Sequence, residues 1–363
     1  MKCSGALLLL LACAPLIAIA ADGERIVNVY SWADYIGPTT LEDFQRETGI
    51  KVNYDTYDSS ETVDTKLLAG STGYDVVFHD MPYSARLIPI GIYKPLDRAR
   101  IPNWPGLDPK ILEIYAKYDP GNRYGAPYTW GSTGFAYNVD LIRARMPDAP
   151  VTSGRMLFDP EVVSRFADCG VSFLDSPTDV VPMALAYLGY SVDSDVPSEL
   201  EEAERVLKSV RPYVRYFSSA KMLIDLPNSE TCVAMSWSGD YATARTRARD
   251  AGVDINLAYS VPSEGSIGWY DGMFIPADAP HPDTAYAFID FILRPDVIAA
   301  ITNFIDYANA VPASNPMVKP EILADPAVYP TPDILATLQP KMTLPPKVER
   351  LRTRIMARVK TGL

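Results

Sequence analysis

Histidine is nearly missing from this chain: His79 and His281, 202 positions apart, are the only two in 363 residues. Their scarcity removes the commonest acid–base residue of neutral pH and the commonest nitrogen ligand for a metal. Cysteine is scarce as well, at four, with no pair at metal-ligand spacing, so neither a metal centre nor any other cofactor is expected. Positive charge is in deficit, with 33 Lys and Arg against 45 Asp and Glu and a formal net charge of −12. An acidic surface argues against a nucleic-acid partner and suits cationic ligands, although acidity also simply aids solubility. Internal repeats and low-complexity tracts are absent, and the 32 prolines are dispersed, which fits rigid loops rather than disorder. After the N-terminus no apolar run approaches the length of a membrane span.

The one long apolar run is at the start. Lys2 followed by the stretch Ala6 to Ile17 has the form of an export signal, too short to span a bilayer. Ala18-Ile19-Ala20 offers small residues where a signal peptidase reads, so residues 1–20 are expected to be removed before Ala21. A rival reading takes Leu10-Leu11-Ala12-Cys13 as a lipidation site, but the residues after Cys13 are apolar where a lipoprotein tether is polar. Export with cleavage is the reading adopted. It leaves a mature chain with Cys169 and Cys232 and, without Lys2, 32 positive against 45 negative residues. Two cysteines in an oxidising compartment suggest a disulfide, and two buried thiols are the alternative.

About 340 mature residues suffice for two domains. Short β-rich runs alternate with helical patterns, as in an α/β chain. Strands are expected at Ile26–Tyr30, Lys51–Tyr57 and Tyr74–Phe78, with helices near Thr40–Glu47 and Ser60–Ala69 between them. Their C-terminal ends feed the loops Trp32–Tyr35, Asp58–Glu61 and His79–Tyr83, where ligands bind in open α/β sheets. A second α/β set includes strands at Gly134–Asn138, Val171–Leu174, Thr231–Ser236, Ile255–Val261 and Tyr270–Ile275. In a last helix near Pro346–Lys360, Val348, Leu351, Ile355 and Val359 share one face. Arg350, Arg352, Arg354 and Arg358 are expected to solvate the other.

Acidic residues stand beside aromatics at several of these loops: Trp32-Ala33-Asp34-Tyr35, Trp237-Ser238-Gly239-Asp240, Trp269-Tyr270-Asp271 and Asp306-Tyr307. A polyamine is a methylene chain bearing ammonium groups at fixed spacing. Carboxylates at matching positions supply charge-assisted hydrogen bonds, and aromatic faces pack methylenes and attract cations. Any single Trp–Asp neighbour pair reads equally well as core packing with a turn or cap. Four such elements from distant parts of the chain point to a shared cleft.

Tyr30-Ser31-Trp32-Ala33-Asp34-Tyr35-Ile36, the run Lys66 to Asp75, Cys169-Gly170-Val171-Ser172-Phe173-Leu174-Asp175, Trp237-Ser238-Gly239-Asp240, Trp269-Tyr270-Asp271 and Tyr307-Ala308-Asn309-Ala310 occur in that order. In these stretches the chain resembles the periplasmic putrescine- and spermidine-binding proteins of bacterial ABC polyamine transporters, across essentially its mature length. The resemblance implies a two-lobed type II periplasmic binding-protein fold, each lobe a mixed β-sheet flanked by helices, with the ligand cleft between lobes. Lobe one would combine 24–133 with 270–314, and lobe two 134–269 with 315–363, with crossings near Gly131–Phe135, Trp269–Gly272 and Ala308–Pro312. It implies a periplasmic, monomeric binding protein that is not an enzyme, with a polyamine as ligand and an inner-membrane ABC permease as partner.

Carried over by position, Trp32 and Tyr35 should wall the cleft, Trp269 and Tyr307 stack on methylenes, and Trp237 pack across the ligand. Asp240 and Asp271 should take ammonium groups, Asp179 reach a terminal amine, and Asp34 accept from an ammonium or fix its loop. Cys169 and Cys232 fall where such proteins carry a disulfide. Asp80 stands where relatives place a serine, and could serve a third ammonium or compensate for the short arm of Asp179. Ala33, Pro82 and Trp269 also depart from one subgroup or another, so putrescine is favoured with spermidine close behind. Competing readings are a polyamine sensor without transport and a secreted hydrolase using paired carboxylates.

Overall fold

The computed structural model describes residues 25–57 and 60–362. The export signal, the rival lipidation site and residues 58–59 of the second candidate loop lie outside the described residues. Among the described residues eleven strands follow in order: β1 (Ile26–Trp32), β2 (Lys51–Tyr57), β3 (Val76–Asp80), β4 (Gly125–Asn138), β5 (Val171–Phe173), β6 (Val214–Phe217), β7 (Val233–Trp237), β8 (Leu257–Ser260), β9 (Ser266–Phe274), β10 (Ala308–Asn309) and β11 (Leu338–Pro340). The main sheet path runs β2-β1-β3-β9-β4-β7-β5-β6. At one end β1 is parallel to β2 and β3, and at the other β5 is parallel to β6 and β7. The two parallel sets are joined through the antiparallel strands β9 and β4.

Local chemistry explains the first crossover. Helix Thr40–Thr48 carries Glu42 and Asp43 in its first turn and Arg46 in its last, matching the helix dipole. It stops at Gly49, which takes the left-handed conformation (φ 67°) and returns its N–H to the Gln45 carbonyl. Phe44 on its inner face meets Phe288 and Phe291. This packing anchors helix Pro282–Ile292 beside the β1 sheet.

Strand β4 is the main link between the two halves. Up to Ser132 it pairs with β9, and from Thr133 it pairs with β7 on one side and, from Phe135, β8. Apolar residues gather in two clusters. One is built on Val27, Val29, Phe44, Phe78, Phe274 and Phe288, and the other on Phe135, Phe158, Phe166, Phe173, Leu185 and Ile355. The C-terminal stretch feeds both, since Val318, Ile322 and Val328 pack in the first cluster and Met356 and Val359 in the second.

Several sequence expectations need correction. Strand β3 begins at Val76 and ends at Asp80, two residues later than expected at each end, so His79 and Asp80 belong to the sheet. Strand β4 starts at Gly125 rather than Gly134, and β9 at Ser266, which places Trp269 inside a strand. Their residues are buried throughout β9 and nearly so in β4, leaving no alternation to read. Arg352 is 1% exposed rather than solvated, and its guanidinium donates to the Val192 and Ser194 carbonyls at 2.8 and 3.0 Å. Arg358 instead pairs with Glu204.

Candidate functional site

The site is assembled where strands end. Trp32 closes β1, Asp80 closes β3 and Trp237 closes β7, so strands of both parallel sets present their carboxyl ends to it. Strand β9 runs antiparallel to β3, and its Asp271 is the register partner of Asp80. Strand β11 lies parallel to β9, Pro340 opposite Gly268, and thereby delivers Lys341 to the same place. Helices Ser238–Asp250 and Pro177–Tyr187 begin here, with Asp240 and Asp179 in their first turns, where the helix dipole favours negative charge.

The four carboxylates differ in what already meets them. Asp179 is buried and accepts from Thr133 Oγ1 at 2.8 Å, Ser176 Oγ at 2.6 Å and Trp237 Nε1 at 3.2 Å. Asp80 is paired with Lys341 at 3.3 Å, both side chains being almost entirely enclosed. Burial alone would lower the Lys341 pKa, but the charges of Asp80 and Asp179 outweigh it and raise the pKa, so the ammonium stays charged.

The other two are met by neutral donors. Tyr307 donates to Asp240 Oδ1 at 2.9 Å. Burial pushes the Asp240 carboxyl up to about 6, with the Tyr307 hydrogen bond and Arg247 opposing and Asp34 adding to the rise. Burial and the Asp80 charge push Asp271 up to about 8, against the Tyr35 hydroxyl, Lys341 and the Trp32 indole, which favour its charged form.

Aromatic rings enclose this acidic cluster. Trp269 meets Tyr307 edge-on at 4.9 Å, and Tyr307 meets Tyr35 edge-on at 5.9 Å. Trp32 leans on Tyr57 at 4.5 Å. Tyr35 is held through its hydroxyl by Thr129 and through its carbonyl by the Tyr128 hydroxyl. Two glycines admit the rings. A Cβ on Gly239 would lie 2.3 Å from the Tyr307 ring, and one on Gly131 would lie 2.3 Å from the Trp269 ring.

Trp32, Tyr35, Asp80, Asp179, Trp237, Asp240, Trp269, Asp271 and Tyr307 are therefore brought together. Asp34 is not. Its side chain is 82% exposed, 3.6 Å from Arg247, and its backbone is left-handed (φ 54°), which turns the carboxylate outward. Asp306 is buried at the end of helix Pro295–Ile305 and accepts from Thr246 Oγ1. Lys341, Thr133, Ser176 and Gly239 had no role assigned from sequence. Gly239 lay inside a quoted motif, whereas nothing in the pattern around Lys341 sets it apart from a surface lysine.

Elsewhere among the described residues no rival centre is found. His79 is enclosed, its Nδ1 bonded to the Tyr93 hydroxyl at 2.7 Å, and burial and Arg86 lower its pKa to about 3, so it is a neutral core residue. Among the described residues no group of three His, Cys, Asp or Glu could hold a metal ion, and no helix is long and apolar enough to cross a membrane. Cys169 and Cys232 form a disulfide with Cα atoms 5.6 Å apart, tying the residues just before β5 and β7 together.

An α/β frame with buried acids and aromatics gathered at parallel strand ends defines a small-molecule receptor. Residues 39–331 match the family of bacterial extracellular solute-binding proteins, and the chain belongs to that family. It is 45% identical over 350 residues to a putrescine/agmatine-binding protein of Pseudomonas aeruginosa, covering 95% of each chain. It is 40% identical over 348 residues to the putrescine-binding periplasmic protein PotF of Escherichia coli, covering 95% of this chain and 94% of PotF. Among solved structures, a putative spermidine/putrescine ABC transporter protein from Listeria monocytogenes superposes with a TM-score of 0.83 at 28% identity, covering 94% of this chain and all of that one.

Proposed function

We propose that this chain captures a linear polyamine in the periplasm, between two lobes, and hands it to an inner-membrane ABC permease. The observation that carries the reading is the pair Asp240 and Asp271. Asp271 is buried beside Tyr35 and Trp32, Asp240 is half-buried and met by the Tyr307 hydroxyl, and both stand within one aromatic enclosure. A carboxylate so placed is short of compensating charge, and an ammonium supplies it with a charge-assisted hydrogen bond. Trp32, Trp237, Trp269, Tyr35 and Tyr307 provide the apolar faces that methylenes need. The relatives named for putrescine or putrescine and agmatine support the same class.

The lobes are read as 24–133 with 270–314 and 134–269 with 315–363, the first apolar cluster also taking in 318–328 and Met222, Leu226, Tyr241 and Leu257. Ligand entry would follow opening about β4, β9 and the strand at 308–309. The role is binding and delivery rather than catalysis.

Calorimetry of the unfolded, refolded and dialysed protein against putrescine, cadaverine, agmatine, spermidine and spermine tests the reading. At least one should bind at micromolar affinity or tighter, and no heat from any of the five overturns it.

A further inference from the structure

Asp80 raised the question of a third ammonium, because an added carboxylate in a polyamine cleft offers one more cation site. The structure supplies that cation from the chain itself. Lys341 reaches Asp80 at 3.3 Å from the end of β11, and both side chains are close to fully buried. Asp80 is the register partner of Asp271, so the lysine ammonium sits beside the carboxylates that face a ligand rather than on a remote surface.

Beyond Lys341 two guanidinium groups stand among acids. A small cavity behind it is lined by Arg86, Arg352, Glu349 and Thr178. Arg86 is engaged with Asp64 at 2.7 Å, and Arg352 with two backbone carbonyls. A ligand chain extended past Asp80 would bring its next ammonium against Lys341 and then toward two guanidinium groups. Like charges in a low-dielectric enclosure repel strongly, and such opposition is how a site rejects a near-identical competitor.

We propose that the Asp80–Lys341 pair is a resident counter-ion that occupies the place of a third ammonium, so the site accepts linear dications and rejects tri- and tetraamines. Resting on the polyamine reading above, it narrows the ligand to a chain with two cationic ends, either a diamine or an amine with a guanidinium. Lys341 then acts as a specificity residue. Its absence would convert Asp80 into a vacant cation site at the closed end of the cleft.

The test compares putrescine with spermidine by calorimetry on the wild-type chain, on Lys341→Met and on Asp80→Ser/Lys341→Met. Wild type should bind spermidine about 100-fold or more weaker than putrescine, the scale set by leaving an ion uncompensated in an enclosed site. Lys341→Met should raise spermidine affinity relative to putrescine by about tenfold or more. The double variant, lacking the carboxylate as well, should lose that gain. Thermal melting monitors folding, and Lys341→Gln, which still can donate to Asp80, replaces Lys341→Met should the latter not fold. Wild-type binding of spermidine within tenfold of putrescine overturns the proposal while leaving polyamine capture standing, as does an unchanged ratio in the lysine variant. Failure of every amine to bind wild type instead removes the reading on which the proposal rests.

Discussion

Replacing Asp271 by Asn should make the ligand-free protein more stable at neutral pH while weakening ligand capture. The folded carboxyl is held near 8 by burial and by Asp80, whereas an unfolded aspartate titrates near about 3.9. Between those values the folded chain keeps a proton that the unfolded chain has released, so stability is highest near pH 4 and falls as pH rises, levelling off above about 8. Each pH unit costs about 1.4 kcal/mol per such proton. At pH 7 the cost for Asp271 is about 4 kcal/mol as an upper bound, because Asp80 titrates with it and shares the charge. Asparagine keeps a carbonyl for the donors and never ionises. Urea unfolding of ligand-free wild type and Asp271→Asn from pH 4 to 8, followed by tryptophan fluorescence, reads the difference directly. The two should have similar stability near pH 4 and diverge with rising pH, the variant leading by about 2–4 kcal/mol at pH 7. Putrescine binding should weaken by about 2–5 kcal/mol in the same variant, the usual loss when one partner of an enclosed charge pair is removed. Parallel stability curves, or a variant less stable at pH 7, would refute the charge-starved reading of Asp271.

A dication entering at pH 7 should displace the proton on Asp271, so calorimetry in buffers of different ionisation enthalpy should report release of about one proton and an affinity that climbs from pH 6 to 8. Gly239→Ala places a Cβ in the Tyr307 ring, and should cost about 1–3 kcal/mol in stability together with at least tenfold in affinity, as seen by melting and titration. Removing the disulfide with Cys169→Ser and Cys232→Ser, 63 positions apart, should lower unfolding free energy by roughly 4 kcal/mol on the chain-entropy account. Ligand affinity should hold within about threefold, since both cysteines pack in the second core, away from the acidic cluster.

Much of the frame was legible because its signals are local. Strand β2 and the helix from Ser60 coincide with the runs expected of them, and Gly49 stops its helix in the left-handed conformation as a C-terminal glycine should. Strands β4 and β9 were truncated in the sequence reading for the opposite reason: buried on both faces, they show no period-two alternation, and Gly125 and Ser266 do not look like strand starts. Positions after strands pointed to Trp32, Tyr35, Trp237 and Asp240, while the family resemblance supplied their roles and added Asp179. The partners that distinguish them were not legible. Asp34 and Asp240 read alike as acids near tryptophan, yet a left-handed backbone turns one outward while a helix first turn holds the other in the cluster. Lys341 and Arg352 look like surface cations until tertiary contacts with Asp80, Val192 and Ser194 bury them.

The charge count in the cleft ties these contacts to ligand class. Asp80, Asp179, Asp240 and Asp271 would bring four negative charges together, and Lys341 cancels that of Asp80. Asp179 differs from the remaining two because Thr133, Ser176 and Trp237 already donate to its oxygens, and the first turn of its helix favours its charge. Its oxygens already have hydrogen-bond donors without a cation of their own. Asp240 and Asp271 have no comparable set, and burial raises their pKa values, as it does that of Asp80 despite Lys341. The number of carboxylates awaiting a cation is thus two, although the number of carboxylates is four. A third ligand ammonium would have to take Asp80 from Lys341, stranding a buried lysine, or compete with three donors already on Asp179. Either exchange leaves one buried ion uncompensated, whereas a dication leaves none.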